Sequence, residues 1–271
     1  MIRRPVVAGS FYPLDKERLN KLLKKCFEGI DQKSENIISA IVPHAGMIYS
    51  GKVAAYAYSK IKKSNFIILG TSHSIIGPKF GIMKEGIWAT PLGKIEIDKD
   101  MSEKLLEKCT LLKYDILSHE QEHSIEIQLP FLQYKFGNDF KFVPINIKSE
   151  YPTTEFLEEC KIIGKSIAKL IKNKNWIIIA SSDFSHYIPK KYAELIDKYI
   201  IDSILKLNEK EFFSRLSEKN ASVCGFGSIA IAIVASKELG AKKGELLKYS
   251  TSAEVTGDER SVVGYGSIII K

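Results

Sequence analysis

Two periodicities alternate along the chain. Short apolar runs rich in β-branched residues, such as Ile37–Val42, Phe66–Leu69 and Trp176–Ala180, are separated by longer stretches in which apolar residues recur every three or four positions. The first pattern predicts strands at about 36–42, 65–70, 140–147, 175–181, 245–251 and 261–270. The second predicts helices at about 15–28, 51–61, 100–109, 153–172, 189–207, 209–218 and 226–239. Residues 80–98 read as extended, punctuated by Gly81, Gly86, Pro91 and Gly93, and 118–136 as a helix interrupted near Pro130. Strands with almost no polar interruption are buried on both faces, the signature of a parallel sheet. The expectation is therefore one α/β domain over residues 1–271, with a mostly parallel central sheet and helices on both faces.

Three of the apolar runs end on a histidine. His44 follows Val42 in Pro43-His44-Ala45-Gly46, His73 follows Leu69 in Gly70-Thr71-Ser72-His73, and His186 follows Ala180 in Ser181-Ser182-Asp183-Phe184-Ser185-His186. Open α/β sheets bind ligands just beyond the carboxyl ends of their strands. Three of the five histidines thus fall where such a fold places its pocket. Cys224 stands before the apolar segment Ile229–Ala235, at an expected helix start where a thiolate is favoured. Cys26, Cys109 and Cys160 lie in helical patterns beside apolar residues and read as small core side chains. Two imidazoles and a thiolate, from His44, His73 and Cys224, form a donor set that suits copper, iron or zinc and disfavours magnesium or calcium. Asp183 and His186, three apart at the third strand end, read as an acid–base pair or as groups behind a metal.

His119-Glu120-Gln121-Glu122-His123 spells HExxH. On a helix its histidines would share a face and bind zinc. No third ligand follows at the spacing such sites use, so a zinc hydrolase is the weaker reading, while Glu122 and His123 remain candidates to line the pocket. There is no phosphate-binding loop and no nucleophile elbow.

Bulk properties narrow the partners. The chain has 271 residues and a formal charge of +8, but only five of its 40 basic residues are arginines and the lysines are dispersed over helix faces. That argues against a nucleic-acid surface, which clusters basic residues and favours arginine. No apolar run reaches the roughly 18 residues of a membrane helix, and nothing reads as a secretory signal, so a cytoplasmic location is expected.

Arg4-Pro5-Val6-Val7-Ala8-Gly9-Ser10-Phe11-Tyr12-Pro13, the His44 and His73 motifs, Glu122-His123-Ser124-Ile125-Glu126, the Asp183 and His186 motif, Cys224-Gly225 and the closing Gly257-Asp258 with Val262-Val263-Gly264-Tyr265 resemble the Memo family in order and spacing, over nearly the whole chain. The resemblance implies a fold related to class III extradiol ring-cleaving dioxygenases. It implies a pocket in which His44, His73 and Cys224 match the metal ligands, while His186 matches the dioxygenase acid–base histidine. It further implies one copper or iron ion per chain, with zinc as an alternative, a redox role, and a functional link to a radical SAM protein. The partner is an unidentified small molecule or peptide. The dioxygenases use a carboxylate where this chain has Cys224, and Glu254 or Glu122 are the candidates to replace it. Three functions stay open at this point: a metal-dependent oxidoreductase, a non-catalytic binding module with a vestigial pocket, and an extradiol dioxygenase.

Overall fold

The computed structural model describes residues 1–271. Its centre is four parallel strands in the order Ser39–Val42, Trp176–Ser181, Asn65–Thr71 and Phe142–Ile147. Alternate side chains of these strands enter two different cores. Ile41, Ile67, Leu69, Ile178, Ala180, Val143 and Ile145 face one side, and Ala40, Val42, Phe66, Ile68, Ile177, Ile179 and Phe142 face the other. Both faces are apolar, which is why the runs show no polar alternation in the sequence.

Helices cover both faces. Thr154–Ile171 and Phe226–Glu238 pack on each other over the first core, joined there by residues of Lys99–Lys108 and Glu209–Lys219. Lys16–Phe27, Met47–Lys60 and Leu129–Phe136 cover the second. Helix starts follow local chemistry: Asp15, Asp98, Thr153 and Asn208 each accept a backbone N–H of the first turn, the expected capping contact.

Outside that centre the sheet is largely antiparallel, with one short parallel pair, Phe80–Ile82 with Lys113–Tyr114, at its far edge. Val262–Ile270 runs antiparallel to Ser39–Val42 and pairs on its other side with Gly244–Thr251, and Phe80–Ile82 is antiparallel to Phe142–Ile147. The extended region expected at 80–98 splits into Phe80–Ile82 and two strands, Ile87–Thr90 and Gly93–Glu96, which join Ile2–Arg3 in a separate three-stranded sheet.

One expected helix is corrected. Residues 118–136 form a single helical turn at Leu117–Glu120, a 3-10 turn at Glu126–Gln128 and the helix Leu129–Phe136. Pro130 does not interrupt that last helix; it stands in its first turn. There the missing N–H costs no hydrogen bond and the fixed φ suits the helix.

Candidate metal-binding site

The strands that carry His44, Asp183 and His73 are direct neighbours in the sheet, and each candidate lies two residues beyond its strand end: Val42, Ser181 and Thr71. Cys224 comes from the turn before helix Phe226–Glu238, whose N-cap is Gly225. That turn lies against the end of the central strand. A Cβ at Gly225 would stand 2.4 Å from the Ser181 carbonyl oxygen, so only glycine lets the chain pass here and bring the sulfur in.

One ligand atom each from His44, His73 and Cys224 lie within 4.8 Å of one another. Cys224 Sγ is 3.3 Å from His44 Nε2. Metal bonds of about 2.1 Å to nitrogen and 2.3 Å to sulfur, opened between a right angle and the tetrahedral angle, place the two donors about 3.1 to 3.6 Å apart. The pair therefore fits one first-row ion without rearrangement. His44 is buried, whereas the His73 side chain is 40% exposed, so the set opens to solvent on the His73 side.

Each imidazole is held through its outer nitrogen. His73 Nδ1 lies 2.9 Å from Glu122 Oε1, and His73 N–H donates to Oε2 at 2.7 Å. His44 Nδ1 meets the Ser181 hydroxyl at 2.9 Å. A ligand histidine commonly has such a partner, which fixes the ring and leaves Nε2 for the ion. Burial alone would lower the His73 pKa, but the Glu122 hydrogen bond and charge outweigh it and raise it. Burial likewise opposes ionisation of Glu122, yet the His73 hydrogen bond and the nearby imidazoles hold it down at about 2. His44 is pushed well below its ordinary value by burial, then by the neighbouring His123 and His73, and is neutral.

The thiolate expected at Cys224 is corrected for the metal-free chain. The residue precedes the helix cap instead of occupying the first turn. Burial, helped by the Asp183 carboxylate, pushes the thiol up to about 12 despite the Asp183 N–H donated to Sγ at 3.3 Å. A cation would have to take the place of that proton.

Asp183 and His186 are not a hydrogen-bonded pair. Asp183 Oδ1 accepts the His44 N–H at 2.9 Å, so the carboxylate braces the His44 turn from below. Burial raises its pKa to about 6, against the His44 and Ala45 N–H groups that favour its charge. His186 begins a short strand, His186–Ile188, and its Nδ1 donates to the Ser222 carbonyl at 2.7 Å, which leaves Nε2 free.

Glu122 and His123 join the site, and His119 does not. His123 stacks on His73 with ring centroids 4.6 Å apart and meets the His44 ring edge-on at 5.4 Å. His73, Glu122 and His123 also bring ligand atoms together. The carboxylate of that second group is already filled by the N–H groups of His73, His123 and Ser124 and by His73 Nδ1, so it is a brace and not a free ligand. His119 is fully buried, with Nε2 3.2 Å from the Gly81 carbonyl and its ring against Trp88. The HExxH pair therefore never shares a helix face, because the chain leaves helical geometry at Gln121. Glu254 bonds the Ser250 hydroxyl and lines a different groove with Lys52 and Lys248, so it is no substitute for Cys224.

Sequence reasoning missed Ser181, Gln128 and Ser124, whose buried polar atoms lie behind His44. Their one sequence signal is polarity at the end of an otherwise apolar run, as in Ser181-Ser182 after Ala180.

A family model described as "Memo-like protein" matches residues 3–269. The chain belongs to the Memo-like family. It is 44% identical to a "MEMO1 family protein" of Methanococcoides burtonii over the full length of both chains. It is 43% identical to one of Methanosarcina barkeri over the full length of both, and 40% identical to one of Nitrosopumilus maritimus over 99% of each. Among solved structures, "uncharacterized protein JW3007 from Escherichia coli K12" superposes with a TM-score of 0.52 at 10% identity, covering 86% of this chain and all of the other. At that identity the likeness is one of fold alone. No helix of the family member described here is long and apolar enough to cross a membrane.

Proposed function

We propose that this Memo-like protein is a metal-binding redox protein, and specifically a metal-dependent oxidoreductase, with His44, His73 and Cys224 holding one copper or iron ion. The reading rests on a single observation: two neutralisable nitrogens and one sulfur, from three separate chain segments, converge within 4.8 Å. A donor set of two imidazoles and a thiolate favours copper(I), iron(II) or zinc over hard cations. Such an ion supplies a one-electron couple, or an electrophilic centre, at the mouth of the pocket.

The surrounding residues support turnover more than simple storage. Glu122 holds the His73 ring on the solvent side, so the open face of the set is the face a small molecule would approach. Asp183 fixes the backbone of His44. In this reading His186, whose Nδ1 is tied to the Ser222 carbonyl, gives or takes a proton through its other ring nitrogen. Ring cleavage of the extradiol kind is disfavoured, since Glu122 is occupied as a brace and Glu254 lies elsewhere.

The test is metal analysis of anaerobically purified, untagged protein, followed by Cys224→Ser. The expected outcome is close to one copper or iron per chain in the wild type, and a loss of at least ten-fold in affinity in the variant. Unchanged stoichiometry and affinity after Cys224→Ser would remove the sulfur from the ligand set and with it this function.

A further inference from the structure

The local contact between His44 Nδ1 and the Ser181 hydroxyl leaves open which of them donates. The buried groups behind it decide the matter. Ser181 Oγ is 2.7 Å from the Ser124 carbonyl oxygen, which can only accept. It is 2.8 Å from Gln128 Nε2, which can only donate. The Gln128 amide cannot be turned round. Its nitrogen also faces the Pro43 and Ser124 carbonyls at 3.1 and 3.2 Å, while its oxygen accepts the Tyr58 hydroxyl at 2.8 Å. Ser181 and Gln128 are fully buried, so no solvent offers another partner.

A serine hydroxyl has one proton and two lone pairs. At Ser181 the proton goes to Ser124 and Gln128 fills one lone pair. The remaining lone pair faces His44 Nδ1. Two acceptors at 2.9 Å with no proton between them would repel, so Nδ1 must carry the hydrogen. We propose that Ser181, held by Gln128 and the Ser124 carbonyl, is a positioning residue that locks His44 as the Nδ1–H tautomer and presents a bare Nε2 lone pair to Cys224 Sγ.

The consequence is chemical. A free neutral imidazole side chain in water prefers the opposite tautomer, with hydrogen on Nε2. That form would put a hydrogen on the nitrogen that faces Cys224 and leave no lone pair there to take the thiol proton or to bind an ion. The locked form accepts instead. In the metal-free chain the Cys224 S–H donates to Nε2 across the 3.3 Å contact, and the lone pair is already aimed at the point an ion would occupy. The bare Nε2 is the atom an ion needs, and it is equally the atom that would take the thiol proton. The value of this arrangement for metal binding rests on the function proposed above, but the tautomer itself does not.

The experiment is a long-range proton–nitrogen correlation spectrum of reduced, metal-free protein labelled with 15N histidine, with His44 assigned by its loss in His44→Gln. The expected result is a His44 signal from the Nδ1–H form in the wild type. Ser181→Ala should shift it toward Nε2–H, and Ser181→Thr, which keeps the hydroxyl, should restore it. Copper(I) competition against a chelator is the second readout. Removing a group that orients a metal-bound histidine weakens binding roughly 10- to 100-fold, so Ser181→Ala should lose affinity on that scale and Ser181→Thr should not. An Nε2–H signal in the wild type overturns the inference, even if Ser181→Ala does not fold. So does an unchanged tautomer in a folded Ser181→Ala. A wild type that shows the Nδ1–H form yet binds no ion refutes the metal function and leaves the tautomer lock standing.

Discussion

Two glutamates four residues apart, Glu122 and Glu126, anchor two clusters that do opposite things. In one, Glu122 braces His73 beside His123, and the histidine side chains are partly exposed at 40% and 21%. In the other, Glu126 pairs with Arg3 at 2.7 Å, with exposures of 0% and 3%, and Arg3 also holds the carbonyls of His119 and Glu122 and lies 3.9 Å over the Trp88 ring. The first leaves nitrogens uncommitted. The second commits almost everything: Glu126 also accepts the Val6 and Val7 N–H groups and the Tyr12 hydroxyl. The lesson is that a buried glutamate signals chemistry only where the groups it holds keep a donor atom to spare and solvent can reach that atom. The buried cluster instead pins the N-terminal segment under the loop that carries Glu122 and His123, so it supports the open one without belonging to it.

The comparison can be broken at the Arg3–Glu126 pair, where the largest effect is expected. Arg3→Ala leaves Glu126 as a buried, unpaired carboxylate, and breaking such a pair from one side costs about 3–5 kcal/mol. Urea denaturation of the metal-free protein measures it, and a loss below about 1 kcal/mol would mean that the pair is not the clamp described.

His119 sharpens the contrast through pH. Burial lowers its pKa to about 4, from an ordinary value of 6.5. The folded chain therefore binds fewer protons than the unfolded chain between those values, and stability is fully present above about 6.5 and falls as pH drops toward 4. Across that window the contribution is about 3 kcal/mol. His119→Gln should flatten the slope between pH 6.5 and 4 in denaturation midpoints. An equally steep slope in the variant would show that other groups set it.

A smaller effect is expected at Glu122, and it should appear in binding more than in folding. Glu122→Gln keeps the shape but weakens the hold on the His73 ring, so affinity for copper(I) or iron(II) should fall about 10- to 100-fold, or about 1.4 to 2.7 kcal/mol. Chelator competition reads the loss. If affinity is unchanged while the fold is intact, His73 needs no brace.

Much of this was legible in the chain itself. The runs ending at Val42, Leu69 and Ala180 announced buried parallel strands, and the residues just past them, His44, His73 and Asp183, fell at the end of the sheet where ligands bind. The HExxH segment was not legible, because its meaning depends on whether the turn at Leu117–Glu120 continues. It stops, and His119 and His123 part company. The helix-start thiolate at Cys224 was overestimated for a similar reason: burial and a neighbouring carboxylate are properties of the assembled pocket.

Periodicity depends only on neighbours along the chain, so the amino-acid order by itself determined the central strands, most of the helices and the strand-end placement of His44 and His73. Which strand lies next to which, and which donor already has a partner, depend on segments far apart in the chain. The tertiary structure alone therefore decided that Cys224 meets His44 across 180 residues, that Glu122 is a brace, and that Ser181 has only one proton to give.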